Sequence, residues 1–526
     1  MSTRQRILGC CIILILLLPT LFFPFGADHF TFLRGGELVM NGGRMYVDFY
    51  DVKPPLIYYI FGSVGAVFGY TEITLRGFDL FWQLCTAFSL VFVVSRVMGN
   101  SIYGFAGGAA YALSYTALNF SETLQCEGFA GIGIVWLIYL QMMSKETYWR
   151  YPLWGIALGW MTALKFPLGI LFLAIIIDDI VLRKQPAPQM VLKWFVIGVS
   201  LLCTIAVLLS PYLNPEVFAG YRRISEYLVF YASTPPINLD FVRTSIKSIA
   251  EFFGDNYSLA FLVCIAGALF SVFSETMKEL HNTRSRRLIW LTVLIAGLLL
   301  FSVVIERKLL PYRFSRMYVP LSLLSGIGIV VLYREWILSF SVFSKNLKLL
   351  TYMLLGCMLL FSPLPRWLSV AGFGYNALFS KQDANIQRVQ NSDLVSSPRL
   401  DIVEVSRYIR AQPLQGKVFV ISTIASTVYY FLNEKPISRF ISPTMYYSVI
   451  SPKGMKSEMQ NEVQAASWLV VQTNDRHPEM YGHDRSSSEM LANDPVVSDY
   501  VQKNYSRRAS IGVFDIYSKN NPPVAP

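Results

Sequence analysis

Charge is scarce in this 526-residue chain: Asp, Glu, Lys and Arg make up 15% of it, against about 25% in an ordinary soluble domain. With 54% hydrophobic residues and a mean hydropathy of +0.44, most of the chain is too apolar for a cytosolic protein. Disordered, collagenous and disulfide-scaffold classes are excluded on the same ground. Histidine is scarcer still. His29, His281, His477 and His483 are scattered along the chain, so no metal cluster is expected. The seven cysteines (Cys10, Cys11, Cys85, Cys126, Cys203, Cys264 and Cys357) lie in or beside apolar runs and form no C-x-x-C motif. With none after Cys357, an exported C-terminal domain would hold together without disulfides. There is no G-x-x-x-x-G-K-[ST] phosphate loop, which argues against an ATP-driven pump, and no G-x-S-x-G nucleophile elbow. The cationic excess of 45 over 34, or +11, falls in short loops between apolar runs rather than on one face, so no nucleic-acid partner is expected.

What the chain does have is a series of apolar runs. The first, 7–25, follows Arg4 and Arg6, is longer than a signal core and lacks an A-x-A site, so it reads as an uncleaved span. Others lie at 56–70, 78–94, 103–118, 129–142, 152–164, 167–180, 194–213, 259–273, 288–304, 318–332 and 349–364. Basic residues mark alternate connections: Arg96, Lys145/Arg150, Arg183/Lys184, Lys278/Arg284/Arg286/Arg287 and Arg334/Lys345/Lys348. The positive-inside rule puts these in the cytoplasm. The alternation holds only if 56–70 fails to cross. That run is short, follows Pro54-Pro55 and contains Gly62, Gly65 and Gly69, so it reads as an interfacial or re-entrant helix. About eleven spans follow, with a cytoplasmic N-terminus. Composition shifts after Pro365, dividing a membrane domain (1–365, first outer loop 26–76) from an exported α/β domain (366–526). The latter has β-rich runs at 417–423, 468–472 and 511–517 and an amphipathic segment at 400–410.

The charged, aromatic-rich connections then share the outer face. Asp28 there is either a general base, its pKa raised by partial burial, or a helix N-cap. Asp48 and Asp51 flank Phe49-Tyr50 and read equally as turn residues. Lys53, at the Pro-Pro corner, is placed either to pair with a lipid phosphate or to snorkel. Glu127 opens an apolar run, where a carboxylate is a functional suspect or a partner for the helix dipole. Lys165 interrupts two short apolar runs. Arg222, Arg223, Arg307, Lys308, Arg313 and Arg316 are an outer basic excess that an anionic lipid headgroup would explain. A transporter or flippase for a lipid-linked glycan is the alternative, but runs such as 78–94 carry few polar residues and no repeat is visible.

The segment D-x(5)-R-G-G…NGGRMYVDFYDVKPPLIYYIFGSVGAVFGYTEITLRGFD closely resembles the first outer loop of the family 39 glycosyltransferases. These GT-C membrane enzymes include the protein O-mannosyltransferases and the lipid A aminoarabinose transferase. The matching positions are Asp28, Gly43, Tyr46, Asp48, Lys53, Pro54, Pro55, Leu56, Phe68, Gly69 and Arg76. QCEGF supplies Glu127 and Phe129 to a looser match, and KLLPYRFSRMYVPLSLL resembles a late segment with Tyr312 or Tyr318 in register. The resemblance implies a polytopic GT-C fold in a bacterial inner membrane and a polyprenyl-phosphate-linked sugar donor. It also implies transfer with inversion to a lipid, glycan or protein acceptor on the outer face, without a metal or other cofactor. Asp28 would be the base and Glu127 would position substrate. Lys53, Arg222, Arg223, Arg307, Lys308, Arg313 and Arg316 would meet the leaving phosphate, while Tyr46, Asp48, Asp51, Arg76, Lys165 and Tyr312 or Tyr318 would bind substrate. The protein O-mannosyltransferases carry Asp-Glu where this chain has Asp28-His29, a departure from the members that act on protein Ser/Thr.

Overall fold

The structure is a computed structural model. It describes residues 1–118, 120–143, 148–183, 186–273, 283–334, 353, 356, 359–379, 398–412, 416–436, 438–439 and 444–520. In chain order the first helices are α1 (Thr3–Leu17), α2 (Ala27–Met40), α3 (Leu56–Phe68), α4 (Glu72–Met98), α5 (Ser101–Thr116) and α6 (Cys126–Met142). Next come α7 (Tyr151–Leu164), α8 (Leu171–Ile177), α9 (Ala187–Leu208), α10 (Pro215–Ser233), α11 (Leu239–Glu251) and α12 (Leu259–Phe273). They are followed by α13 (Thr283–Ile305), α14 (Pro311–Phe314), α15 (Tyr318–Leu332) and α16 (Leu364–Phe379). The last part contains α17 (Arg399–Arg410), β1 (Val418–Ile421), α18 (Ala425–Leu432), α19 (Met455–Ala465), β2 (Trp468–Gln472), α20 (Pro495–Asn504), β3 (Tyr505–Ile511) and β4 (Phe514–Lys519).

Local chemistry accounts for many of the boundaries. The side chains of Asn100, Asn214 and Asn238 cap α5, α10 and α11, and α4 carries Glu72 in its first turn and Arg96 in its last, matching the helix dipole. Contacts group the chain into two compact units. One is a helical bundle (1–23, 75–209 and 236–379); the other joins 24–74 and 210–235 to the C-terminal residues 380–526.

The bundle makes this a polytopic α-helical membrane protein. Among the described residues, five helical stretches are long and apolar enough to cross a bilayer: Thr3–Phe22, Glu72–Met98, Ala187–Leu208, Thr283–Ile305 and Pro311–Leu332. A sixth arises if Leu239–Gly254 and Leu259–Ser271, bent by 90°, are one span. The rest of the expected eleven correspond to shorter helices or, for half of 349–364, lie outside the described residues, as do Lys145, Lys184, Lys278, Lys345 and Lys348.

One end of the bundle is tied by charge. At the last turn of α6 the Gln141 amide donates to both Asp178 (2.6 Å) and Asp179 (2.8 Å). Arg287, at the start of α13, reaches Asp178 with its Nε at 3.0 Å. Lys193 of α9 bonds Asp179 at 2.8 Å and lies 5.0 Å over the Trp154 ring. Asp178, Asp179 and Lys193 are wholly buried, so this pair of acids is the centre of a four-helix clasp. Removing one partner of a buried ion pair costs about 3–5 kcal/mol. Arg287→Ala should therefore lower the melting temperature of the detergent-solubilised protein sharply, whereas substitution of exposed Arg243 should not.

In the second unit α2 packs on α3 through backbone contact: a Cβ on Gly62 would lie 2.6 Å from the Gly36 carbonyl oxygen. The C-terminal residues form a small α/β domain with a four-stranded sheet ordered β1-β2-β4-β3. β1 and β2 are parallel and buried on both faces, which is why they read as unbroken apolar runs, VFVI and WLVVQ. The expected run 511–517 instead contains a turn at Gly512 (φ 52°), which joins β3 to β4. The 400–410 segment is α17, as its amphipathic pattern predicts.

Candidate active site

The first cluster lies in the second unit. Gly26, not Asp28, is the N-cap of α2, and its N–H donates to His29 Nδ1 at 2.8 Å. Asp28 sits in the first turn, its side chain 43% exposed, with Lys53 Nζ 3.0 Å from its carboxylate. Lys53, held by the Pro54-Pro55 corner at the head of α3, also lies 5.5 Å over the Phe32 ring. Beside them, the half-buried Asp51 accepts bonds from the Tyr58 hydroxyl and the Val52 N–H. Burial pushes the Asp51 carboxyl up from its ordinary value. The Tyr58 bond and the Lys53 charge oppose that rise without cancelling it, and the Asp28 charge adds to it.

The rest of the loop supports this cluster. Tyr46 adopts a left-handed backbone (φ 65°), donates its N–H to the Phe49 carbonyl at 2.6 Å, and packs its buried ring 5.3 Å from Tyr212 and from Tyr221. Asp48 is bonded by the Arg44 N–H (2.8 Å) and guanidinium. Two of the expected binding residues are engaged by protein groups. Arg223 is bound by Glu458 (2.6 Å) and the Lys453 carbonyl; its neighbour Arg222 is exposed. Arg76 belongs to the bundle, is wholly buried, and donates to the Phe23 and Phe120 carbonyls and Thr123 Oγ1 at 2.9–3.0 Å. It ties three turns of the bundle together.

The second cluster lies in the bundle, at the opposite helix ends from the clasp. Glu127, in the first turn of α6 and 1% exposed, is paired with Lys165 and with Arg316 (3.1 Å). Glu306, just past α13, binds Lys165 (3.1 Å), Arg316 (2.7 Å) and Arg313 (2.6 Å). Burial would raise the Glu306 carboxyl, but the charges of Lys165, Arg316 and Arg313 outweigh it and hold the group below the usual carboxylate range. Lys165 lies 5.5 Å over the Tyr312 ring, so Tyr312 is the tyrosine that meets this cluster. Tyr318, which opens α15, is core, packed against Phe252 and Tyr257. Lys308 is buried in the same connection and Arg307 has a left-handed backbone (φ 57°). Glu306 was missed as a site residue. Its signal was an acid opening ERKLLPYRFSR, where every other charge is positive.

Among the described residues no group of three or more His, Cys, Asp or Glu could hold a metal ion. No protein-family model matches the sequence, and no curated protein matches it. Solved structures do. ArnT from Cupriavidus metallidurans in the apo state aligns over 98% of both chains with a TM-score of 0.58 at 13% identity. The same protein bound to undecaprenyl phosphate aligns over 98% of both chains with a TM-score of 0.57 at 12% identity. The chain has the ArnT fold. The GT-C architecture implied by the first-loop motif is thus present from the first helix through the C-terminal sheet. The Archaeoglobus fulgidus oligosaccharyltransferase, in complex with Zn and sulfate, covers 97% of this chain and 73% of its own at 12% identity, but its TM-score of 0.49 is too slight to argue from.

Proposed function

We propose that this protein is an inverting glycosyltransferase of the inner membrane. It moves a sugar from a polyprenyl-phosphate donor to an acceptor hydroxyl on the extracytoplasmic face. The observation that carries this reading is the Asp28–Lys53 pair, an accessible carboxylate 3.0 Å from an ammonium group, in a fold shared with a protein that has been crystallised with undecaprenyl phosphate.

The pair suits the two halves of the reaction. Asp28 takes the proton from the acceptor hydroxyl as its oxygen bonds to the anomeric carbon from the face opposite the phosphate. The bond from that carbon to the phosphate oxygen breaks, and the lipid phosphate departs with the electron pair. Lys53 meets the charge that grows on it, a role that needs no metal ion. In the free protein the two neutralise each other. A donor phosphate competes with Asp28 for Lys53, so the same lysine can serve the free and the donor-bound protein.

Undecaprenyl phosphate is the probe. The purified wild-type protein should bind it in detergent, and Lys53→Ala should weaken binding by about 10-fold or more, the scale of one lost charge-assisted bond. Equal affinity in a folded Lys53→Ala variant would exclude the lysine as the phosphate ligand.

A further inference from the structure

The C-terminal α/β domain is joined to the first-loop cluster by a buried arginine that the reaction scheme above does not use. Arg399, the first residue of α17, is 2% exposed. Its guanidinium lies between the rings of Phe30 (5.3 Å) and Phe431 (5.0 Å). It pairs with Glu72 and donates to the Phe25 carbonyl at 3.3 Å. Glu72 also accepts the Phe25 N–H at 3.0 Å. Both polar groups of the Phe25 backbone are therefore held, three residues before Asp28. The fork geometry matters: a guanidinium can lie against aromatic rings and still bond a carboxylate and a carbonyl through separate donors.

More contacts lock the same helix to the same domain. Thr31 Oγ1, one turn after Asp28, bonds Ser426 Oγ at 2.6 Å. Arg34 donates to the Tyr429 carbonyl at 3.3 Å, and Phe30 packs 4.8 Å from Tyr430. A separate grip holds the lysine side of the loop. Arg439 accepts the Tyr50 N–H on its carbonyl at 2.9 Å, donates to the Val47 carbonyl at 3.3 Å, and is paired with Glu458 at 3.1 Å.

We infer that the C-terminal domain is a jaw that sets the Asp28–Lys53 geometry, with Arg399 the positioning residue for Asp28 and Arg439 the positioning residue for the Lys53 loop. The inference rests on the proposed function for its kinetic consequence, but not for its structural one. Two independent grips on two sides of one pair should separate kinetically. Loosening Arg399 misplaces the base and lowers kcat. Loosening Arg439 frees the lysine loop and raises the donor KM.

The test uses the full chain in detergent with two readouts. In Arg399→Lys and Arg399→Ala, amide hydrogen exchange of residues 26–40 should quicken by about tenfold or more while α7 and α9 exchange as in the wild type. Transfer should fall by about 100-fold in kcat, the cost of an ångström-scale misplacement, with undecaprenyl phosphate affinity retained. Arg439→Ala should instead speed exchange at 44–53 and raise the donor KM. Glu72→Gln, which keeps the shape and removes the charge partner, serves if Arg399→Ala does not fold. Unchanged exchange at 26–40 in the folded Arg399 variants would overturn the inference, and so would a uniform rise over the whole chain. A wild-type protein that neither transfers sugar nor binds undecaprenyl phosphate would instead sink the proposed function, and the exchange pattern would still decide the jaw.

Discussion

Asp28→Asn should cut sugar transfer by about 10²–10⁴-fold, the range of a lost general base, while undecaprenyl phosphate binds at least as tightly as to the wild type. The opposite signs follow from the pair itself. Asparagine cannot take the acceptor proton, so the chemical step slows. It also removes the carboxylate that stands 3.0 Å from Lys53, so the lysine gives up one ion pair fewer to meet the lipid phosphate. Lys53→Ala reverses the pattern in binding and slows transfer as well, because the leaving phosphate loses its partner. Asp28→Glu keeps the charge but moves it by one methylene, and should recover part of the rate. The measurement is initial-rate transfer in proteoliposomes alongside lipid-phosphate affinity in detergent. A folded Asp28→Asn protein with the wild-type rate would remove this carboxylate from the chemistry. A rate loss matched by an equal loss of lipid affinity would make it a binding residue.

The parts of this site that were legible in the sequence are those whose partners are near in the chain. Asp28, Asp51 and Lys53 fall within one loop motif, and the Pro-Pro corner that aims the lysine is adjacent to it. Apolar runs likewise marked the helices, and unbroken VFVI and WLVVQ marked the two strands buried on both faces. Long-range partners were not legible. Nothing in the sequence near Arg223 announces Glu458 as its partner, and nothing near Arg76 announces the three oxygens it bonds in the fold. Glu306 was hidden for a different reason. A lone acid among cations looks like an exception to a basic patch, whereas in a patch buried at a helix end it is the group that pairs with the cations. β3 was missed because YSRRASI carries its polar residues on an exposed edge, which weakens the apolar signal that strand reading depends on.

Glu306 leads to the other large effect. Lys165, Arg313 and Arg316 carry three positive charges, and Glu127 and Glu306 carry two negative ones. Glu306→Gln leaves three cations facing one carboxylate and takes the charge partner from Arg313. Stranding a buried charge in this way costs about 3–5 kcal/mol, so this variant should express poorly or melt well below the wild type. Lys165→Met, which removes a cation and leaves the remaining charges balanced, should be tolerated better. Acid should act in the same direction as Glu306→Gln. Because the Glu306 carboxyl is held below its ordinary value, its contribution is fully present above the unfolded value of about 4.3 and is lost as pH falls through the lowered folded value. Melting temperatures in detergent should therefore show no pH-dependent change from this group between neutral pH and about pH 5. Below that, the wild type should lose stability that Glu306→Gln no longer has to lose, so the two curves converge. Parallel curves down to the acid limit would mean that Glu306 gains nothing from its three cations, and that the cluster is held together by packing rather than by charge.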